Sequence, residues 1–454
     1  ARARTSLMDP GRDGELAPQA SFSVSFSQND PEAIVSMLWK LSSRKFKVVF
    51  ALTCMLTFIL KLGRLFERPT VARASKIFTD GIESPIYVPR VWTYDITSEL
   101  LHFGITRQQT SGCATDPGYM LETEYLHHFA PNSKLVTSSI QDAEAFFIPH
   151  KTTCHYLECL ILDRKDMHDC MHSAGEYIRA ILRNIADTKI YRKNKGINHF
   201  LALGHETIAE ILYSDPELRN LTKFISFMQV NSMLNVNLHP GNTSFTDFSF
   251  LPHKDIAVPS VSNRTMLIEA ASKMPWRERR FSLYHRGSVK LDDLRYSRGA
   301  RQRVWNASLA RGDIFATEVS LTNKTLYIQE MSDSISCLYS SGWTGWSGRL
   351  ADIILAGCVP LILNDGIILP FEEVLDWRGF SVKMLEAHID ELPSVLDDLR
   401  VNGEHYEKQL YEIIPHLTYM RPAVEGDAIF TALTLLKKRL WLHEPMGGWG
   451  RGQD

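Results

Sequence analysis

Strong charge of either sign is missing from this chain. Its 454 residues carry 50 Lys and Arg against 52 Asp and Glu, a formal net charge of −2, which excludes bulk attraction to nucleic acid as a basis for function. Long apolar runs are also scarce: VVFALTCMLTFIL, Val48 to Leu60, has thirteen residues, short of the roughly 20 that a spanning helix needs. No internal repeat or long low-complexity tract is present, so a solenoid is excluded. Cysteine is sparse, and Cys154, Cys159 and Cys170 with His155 and His168 match no standard zinc spacing, so no zinc site is expected there. What remains is a globular composition, 44% hydrophobic and 22% charged, in a chain long enough for about two domains.

The short apolar run has a direction. Arg44, Lys45 and Lys47 precede it, which is the charge order of a signal anchor with a cytosolic N-terminus, and Leu62, Leu65 and Phe66 extend it beyond Lys61. A cleaved signal ending near Ala72-Arg73-Ala74 and a buried helix are the other readings. The expected organisation is a mostly disordered cytosolic tail over 1–43, an anchor over 44–66 and a stem over 67–81. Sequons at Asn220, Asn242, Asn263, Asn306 and Asn323 all follow the run, as do six of the seven cysteines. An even set fits disulfides in an oxidising lumen, with reduced core cysteines as the alternative.

Beyond the stem, short apolar runs alternate with helical patterns: PIYVP, DAEAFFIPH, INHFLALGHE, RRFSLYHRG, SDSISCLYSS, CVPLILND and RGFSVKML. That alternation predicts parallel sheets with ligands at the strand C-termini. SISCLY, SSGWTGWSG, RLADIILAG and VPLIL read as strand, loop, helix and strand, with Ser347 as helix N-cap and Gly357 as the stop. Arg349 then stands in the first turn, beside Gly348, where free N–H groups and a guanidinium suit a phosphate. Asp352 shares its face and can accept from ribose hydroxyls; a surface Arg349–Asp352 ion pair is the alternative. The strand bearing Cys337 can lie beside the one that Cys358 opens, which predicts a disulfide. Asp376 and Trp377 are expected to be structural, one capping backbone amides and the other packed under the FSV strand.

The stretch SISCLYSSGWTGWSGRLADIILAGCVPLILNDGIILPFEEVLDWRGFSV resembles the C-terminal signature of the exostosin-like glycosyltransferases, family GT47. CATDPGYMLETEYL, SKLVTSSIQDAEAFFIPH, NHFLALGHE, HKDIAVP and YSRGARQRVW extend the resemblance over about residues 85 to 440. It implies an α/β fold of GT-B type, with two facing Rossmann-like domains and a cleft between them. Residues 82–263 would form the acceptor side and 264–417 the nucleotide-sugar side, and a helix in 418–454 would pack back across both. It further implies an inverting transferase in the Golgi lumen, anchored through 44–66 as a type II protein. The donor would be a nucleotide sugar, generally a UDP-sugar, with no tightly bound cofactor and no metal. Three departures stand out: Asp352 where Glu is frequent, His150 and Lys151 where a hydroxyl-bearing aromatic is frequent, and an interrupted first strand.

Under that resemblance the chemistry has three requirements: stabilise the leaving diphosphate, orient the acceptor hydroxyl and take its proton. Arg349 serves the first, with Gly287 and Arg301 as a second diphosphate site; for Arg301 and Arg298 solvation of a helix face is the alternative. His205 or Glu206, or else His150, are the candidate bases. Glu386 is placed for donor-sugar hydroxyls, with surface solvation as its alternative. The expected partners are the nucleotide sugar, a glycan acceptor and the Golgi membrane, with homo- or hetero-oligomerisation left open. An inactive lectin-like or scaffold protein of the same fold, and a transferase using another nucleotide, are the competing readings.

Overall fold

The computed structural model describes residues 88–97, 117–230, 250–262, 274–319, 321 and 323–443. The expected tail, anchor and stem, the 263/264 boundary, Cys113 and the sequons at Asn242 and Asn263 lie outside the described residues. Among those residues no helix is long and apolar enough to cross a membrane.

Among the described residues two five-stranded parallel sheets organise the fold. In the first, β1 (Val91–Thr93), β2 (Ala145–Phe147), β3 (His199–Leu203), β4 (Ser226–Gln229) and β5 (Ile256–Ala257) lie in chain order. The second contains β6 (Phe281–Arg286), β7 (Ile314–Thr317), β8 (Ser334–Ser340), β9 (Val359–Leu363) and β10 (Val382–Lys383), in the order β10-β9-β8-β6-β7. The first strand differs from the expected PIYVP: pairing begins at Val91 against Ala145, beyond Pro89, which has no N–H for a ladder. β4, β5 and β7 lie outside the set of runs read as strands. The first sheet also departs from a Rossmann order, because its strands never reverse direction of travel. Among the described residues only the second has a switch point, between β6 and β8.

Successive strand residues face opposite sides and both sides are covered, which explains the uninterrupted apolar runs. Phe147 and Phe200 pack with Tyr125 and Phe129 at the helix α1 (Leu121–His128), while Phe146 and Leu201 pack with helices α2 (Thr152–Ile161), α3 (Met167–Ala186) and α4 (Glu206–Ser214). The second sheet carries α5 (Ala300–Ala310), α6 (Lys324–Ser332), α7 (Arg349–Leu355) and α8 (Leu392–Asn402). One core joins the two sheets, running from Phe147 and Met228 through Ile354 and Tyr339 to Ile429, Leu433 and Leu436 of the last helix, α9 (Ala428–His443). Helix α9 also holds charged tethers to both halves: Lys437 Nζ meets Glu144 Oε1 at 2.7 Å, and Arg439 pairs with Glu373.

Disulfides fix two corners. Cys337 and Cys358 are bonded, with Cα atoms 5.8 Å apart, as the βαβ reading predicts. Cys159–Cys170, Cα atoms 5.6 Å apart, closes the turn between α2 and α3, so these two sulfurs are not zinc ligands.

Candidate functional site

Ligands of open parallel sheets bind outside the strand C-termini at a switch point. Here that point is flanked by Gly287 after β6 and by the loop 341–348 after β8. The loop leads into α7, whose N-cap is Gly348 and not Ser347. Ser347 still helps, since its Oγ accepts from Arg349 N at 3.4 Å. Seven residues make a weak macrodipole, so the positive character of the site comes from side chains. Gly357 ends the segment at φ +69, where a Cβ would stand 2.5 Å from the Tyr411 hydroxyl.

Arg349 and Arg301 supply that charge. Nη1 of Arg349 donates to His285 Nδ1 at 3.0 Å, and its guanidinium lies over Gly287, where any Cβ would collide with Nη2. Gly287 has φ +151, which glycine alone adopts readily. Arg301 is buried and does not solvate a helix face. Its Nη1 donates to Ser288 O and Tyr296 Oη at 2.9 Å each, its Nε to Ser340 Oγ at 3.0 Å and its Nη2 to Ser340 O at 3.2 Å. Burial, and next the charge of Arg349, pull its pKa down to about 10. Arg286, Arg298, Arg279, Arg311 and Arg439 each pair with a carboxylate. Among the described residues no carboxylate lies within 4.0 Å of Arg349 or Arg301, so two guanidinium groups converge without a counter-ion.

Asp352 does not form the i,i+3 pair with Arg349; its Oδ1 accepts from Ser262 Oγ at 3.2 Å, just past β5 at the junction of the sheets. Nearby, Ser260 Oγ donates to Gly348 O at 3.4 Å. Glu386, expected at donor-sugar hydroxyls or else solvated at the surface, is buried. Its carboxylate pairs with Arg298 (Nε to Oε2, 2.6 Å) and accepts from Asp365 N at 3.1 Å, so it ties the chain after β10 to the end of β9. Arg298 therefore serves this tie and is not a solvated helix residue. Asp376 caps a turn by accepting from Arg378 N at 3.2 Å, and Trp377 is buried, its Nε1 donating to Pro370 O at 2.9 Å.

The first sheet contributes the opposite wall. His205 follows β3 and caps α4, its Nδ1 accepting from Thr207 N at 3.1 Å. That bond puts the proton of the neutral ring on Nε2, so His205 presents a donor where a base was expected. Its ring stacks on Tyr119 at 5.0 Å, and Tyr119 in turn lies 5.4 Å from Trp346. Glu206 Oε1 accepts from Thr344 Oγ1 at 3.3 Å, a bond from one half to the loop of the other. Glu210, one turn further along α4, was missed by the sequence reading; burial, and then the charge of Glu206, raise its carboxyl to about 7. His150 is enclosed. Its Nδ1 lies 2.9 Å from Thr152 Oγ1 and 3.6 Å from Glu122 Oε2, and burial pushes it down to about 4 and Glu122 up to about 8. A 1% exposed imidazole that resists protonation is a poor base for an acceptor in the cleft. Among the described residues no group of three or more His, Cys, Asp or Glu is placed to hold a metal ion.

The exostosin GT47 domain matches residues 87–399. A probable glucuronosyltransferase, GUT1, of Oryza sativa subsp. japonica is 24% identical over 344 residues, 71% of this chain and 75% of that protein. A probable beta-1,4-xylosyltransferase, IRX10, of Arabidopsis thaliana is 25% identical over 378 residues, 79% of this chain and 84% of that protein. A chain of the solved GtfA/B complex overlaps 59% of this chain and 61% of its own length at 10% identity, with a TM-score of 0.32 that carries no argument.

Proposed function

The chain belongs to the exostosin GT47 family and is a glycosyltransferase, and we propose that it moves a sugar with inversion from a UDP-sugar to a glycan acceptor in the cleft between its two sheets. The observation that carries this reading is the pair of guanidinium groups without a counter-ion at the switch point. Unneutralised charge of that kind is costly unless an anion completes it, and a nucleotide diphosphate gains charge there as the sugar leaves. Arg349, with donors not taken up by His285, would meet the diphosphate. Arg301, held by Ser288, Tyr296 and Ser340, would add potential more than direct bonds. Asp352 would accept from the ribose.

The acceptor would enter against Tyr119, His205 and Glu206. Glu206 is the better base, because the cap at Thr207 occupies the His205 lone pair, and the Nε2–H is left to orient a sugar hydroxyl. Inversion follows if the hydroxyl attacks from the face opposite the diphosphate. The GT-B architecture and Golgi placement through 44–66 belong to the same proposal, supported by exposed sequons at Asn220, Asn306 and Asn323. The named relatives suggest UDP-glucuronate and UDP-xylose as first donors. Incubation of the purified lumenal part with a panel of UDP-sugars should give UDP release and transfer with one donor. No turnover and no UDP binding would end the UDP-sugar reading, and preference for another nucleotide would correct the donor.

A further inference from the structure

We infer that His285 is the positioning residue of the diphosphate site, holding Arg349 in place with a neutral acceptor so that its full charge remains for the ligand. This rests on the reading of the switch point as a diphosphate site. His285 stands next to last in β6 and is 1% exposed, with Nδ1 3.0 Å from Arg349 Nη1. Arginine only donates, so Nδ1 accepts and the ring proton sits on Nε2, which has no partner. Every other arginine noted above as paired is fixed by a carboxylate, which also cancels its charge. At Arg349 the same mechanical role falls to uncharged groups, the His285 imidazole and the Tyr327 hydroxyl, with Gly287 clearing space for the guanidinium. Burial first, then Arg349 and Arg301, hold the His285 pKa well below the ordinary range, outweighing the Gly287 and Ser288 backbone, which favours the charged ring.

Asn and Asp are nearly isosteric, and either places an oxygen close to the position of Nδ1, so the pair separates shape from charge. UDP and uridine dissociation constants are measured by calorimetry or competition for the wild type, Arg349→Ala, His285→Asn, His285→Asp and His285→Leu. His285→Asn should stay within about 3-fold of wild type for UDP. His285→Asp, which would neutralise Arg349, should weaken UDP by about 10-fold or more, the scale of one lost charge-assisted contact, and leave uridine unchanged. His285→Leu should weaken UDP and lower kcat, with little further loss when combined with Arg349→Ala. If Arg349→Ala weakens UDP but His285→Asp and His285→Leu bind like wild type, the positioning role is wrong while the site stands. If the wild type does not bind UDP, the diphosphate reading and this inference fall together. Should His285→Asp fail to fold, equal UDP affinities for His285→Asn and His285→Leu would overturn the role, and a loss confined to His285→Leu would support it.

Discussion

If Arg349 meets the diphosphate as proposed, Arg349→Ala removes a contact to a group that becomes more negative as the reaction proceeds, so its effect should be larger in the transition state than in the ground state. The expected loss is about 10²-fold in kcat, measured with the donor found in the UDP-sugar screen. Asp352→Asn keeps the shape and weakens acceptance from ribose, so it should mainly raise the donor KM, by about 1 to 3 kcal/mol of binding. Glu210 gives a pH signature. Its carboxyl rises from 4.5 to about 7 on folding, so the folded chain holds a proton that the unfolded chain has released. The stability it contributes is complete below about 4.5 and is lost as pH rises through about 7, and Glu210→Gln should flatten that part of a denaturation-versus-pH curve. Neither Glu210 nor His285 stands out in the sequence, because what distinguishes each is burial beside a particular charge, and no local pattern encodes that. The place of Arg349 at the start of α7 was legible because its Ser-x-Arg context is local. The Glu386 role was not, since its partner Arg298 comes from 88 positions away.

At the scale of elements, the unit β8-α7-β9 is clamped by Cys337–Cys358 across 21 positions. Replacing both cysteines by Ala should lower unfolding stability by about 3 kcal/mol, checked by denaturant titration under oxidising conditions, because a loop of that length loses its closure in the unfolded chain. A second node is Asp255, fully buried just before β5, which accepts from Lys254 Nζ at 2.6 Å, Gln229 Nε2 at 3.1 Å and Leu251 N at 2.9 Å. Asp255→Ala would strand the buried ammonium of Lys254 and should cost about 3 to 5 kcal/mol, seen as a lower melting temperature or insoluble expression. The long buried strands were readable because both sheet faces are covered and the runs are continuous. β5, with two residues, and β7, only partly buried, gave no such run. Strand order was also hidden, because apolar patterning says which residues are buried and not which way each crossover turns.

For the whole molecule, the described sequons at Asn220, Asn306 and Asn323 lie on the surface. If residues 44–66 anchor the chain with its bulk in the lumen, the expressed protein should fractionate with membranes and shift on endoglycosidase treatment. A protein without glycans in the soluble cytosolic fraction would rule out that topology. The loop 341–348 has a consequence of another kind. Asn364 Nδ2 donates to Gly345 O at 2.6 Å in the second half, and Thr344 reaches Glu206 in the first, so under the proposed function a single strip of backbone belongs to both substrates' surroundings. A diphosphate that reshapes this strip changes what Glu206 presents to the acceptor, and linkage makes the influence equal in both directions. The two substrates should therefore bind cooperatively, each changing the other's affinity by the same factor, and Thr344→Val should weaken that coupling while leaving each partner's separate affinity nearly intact.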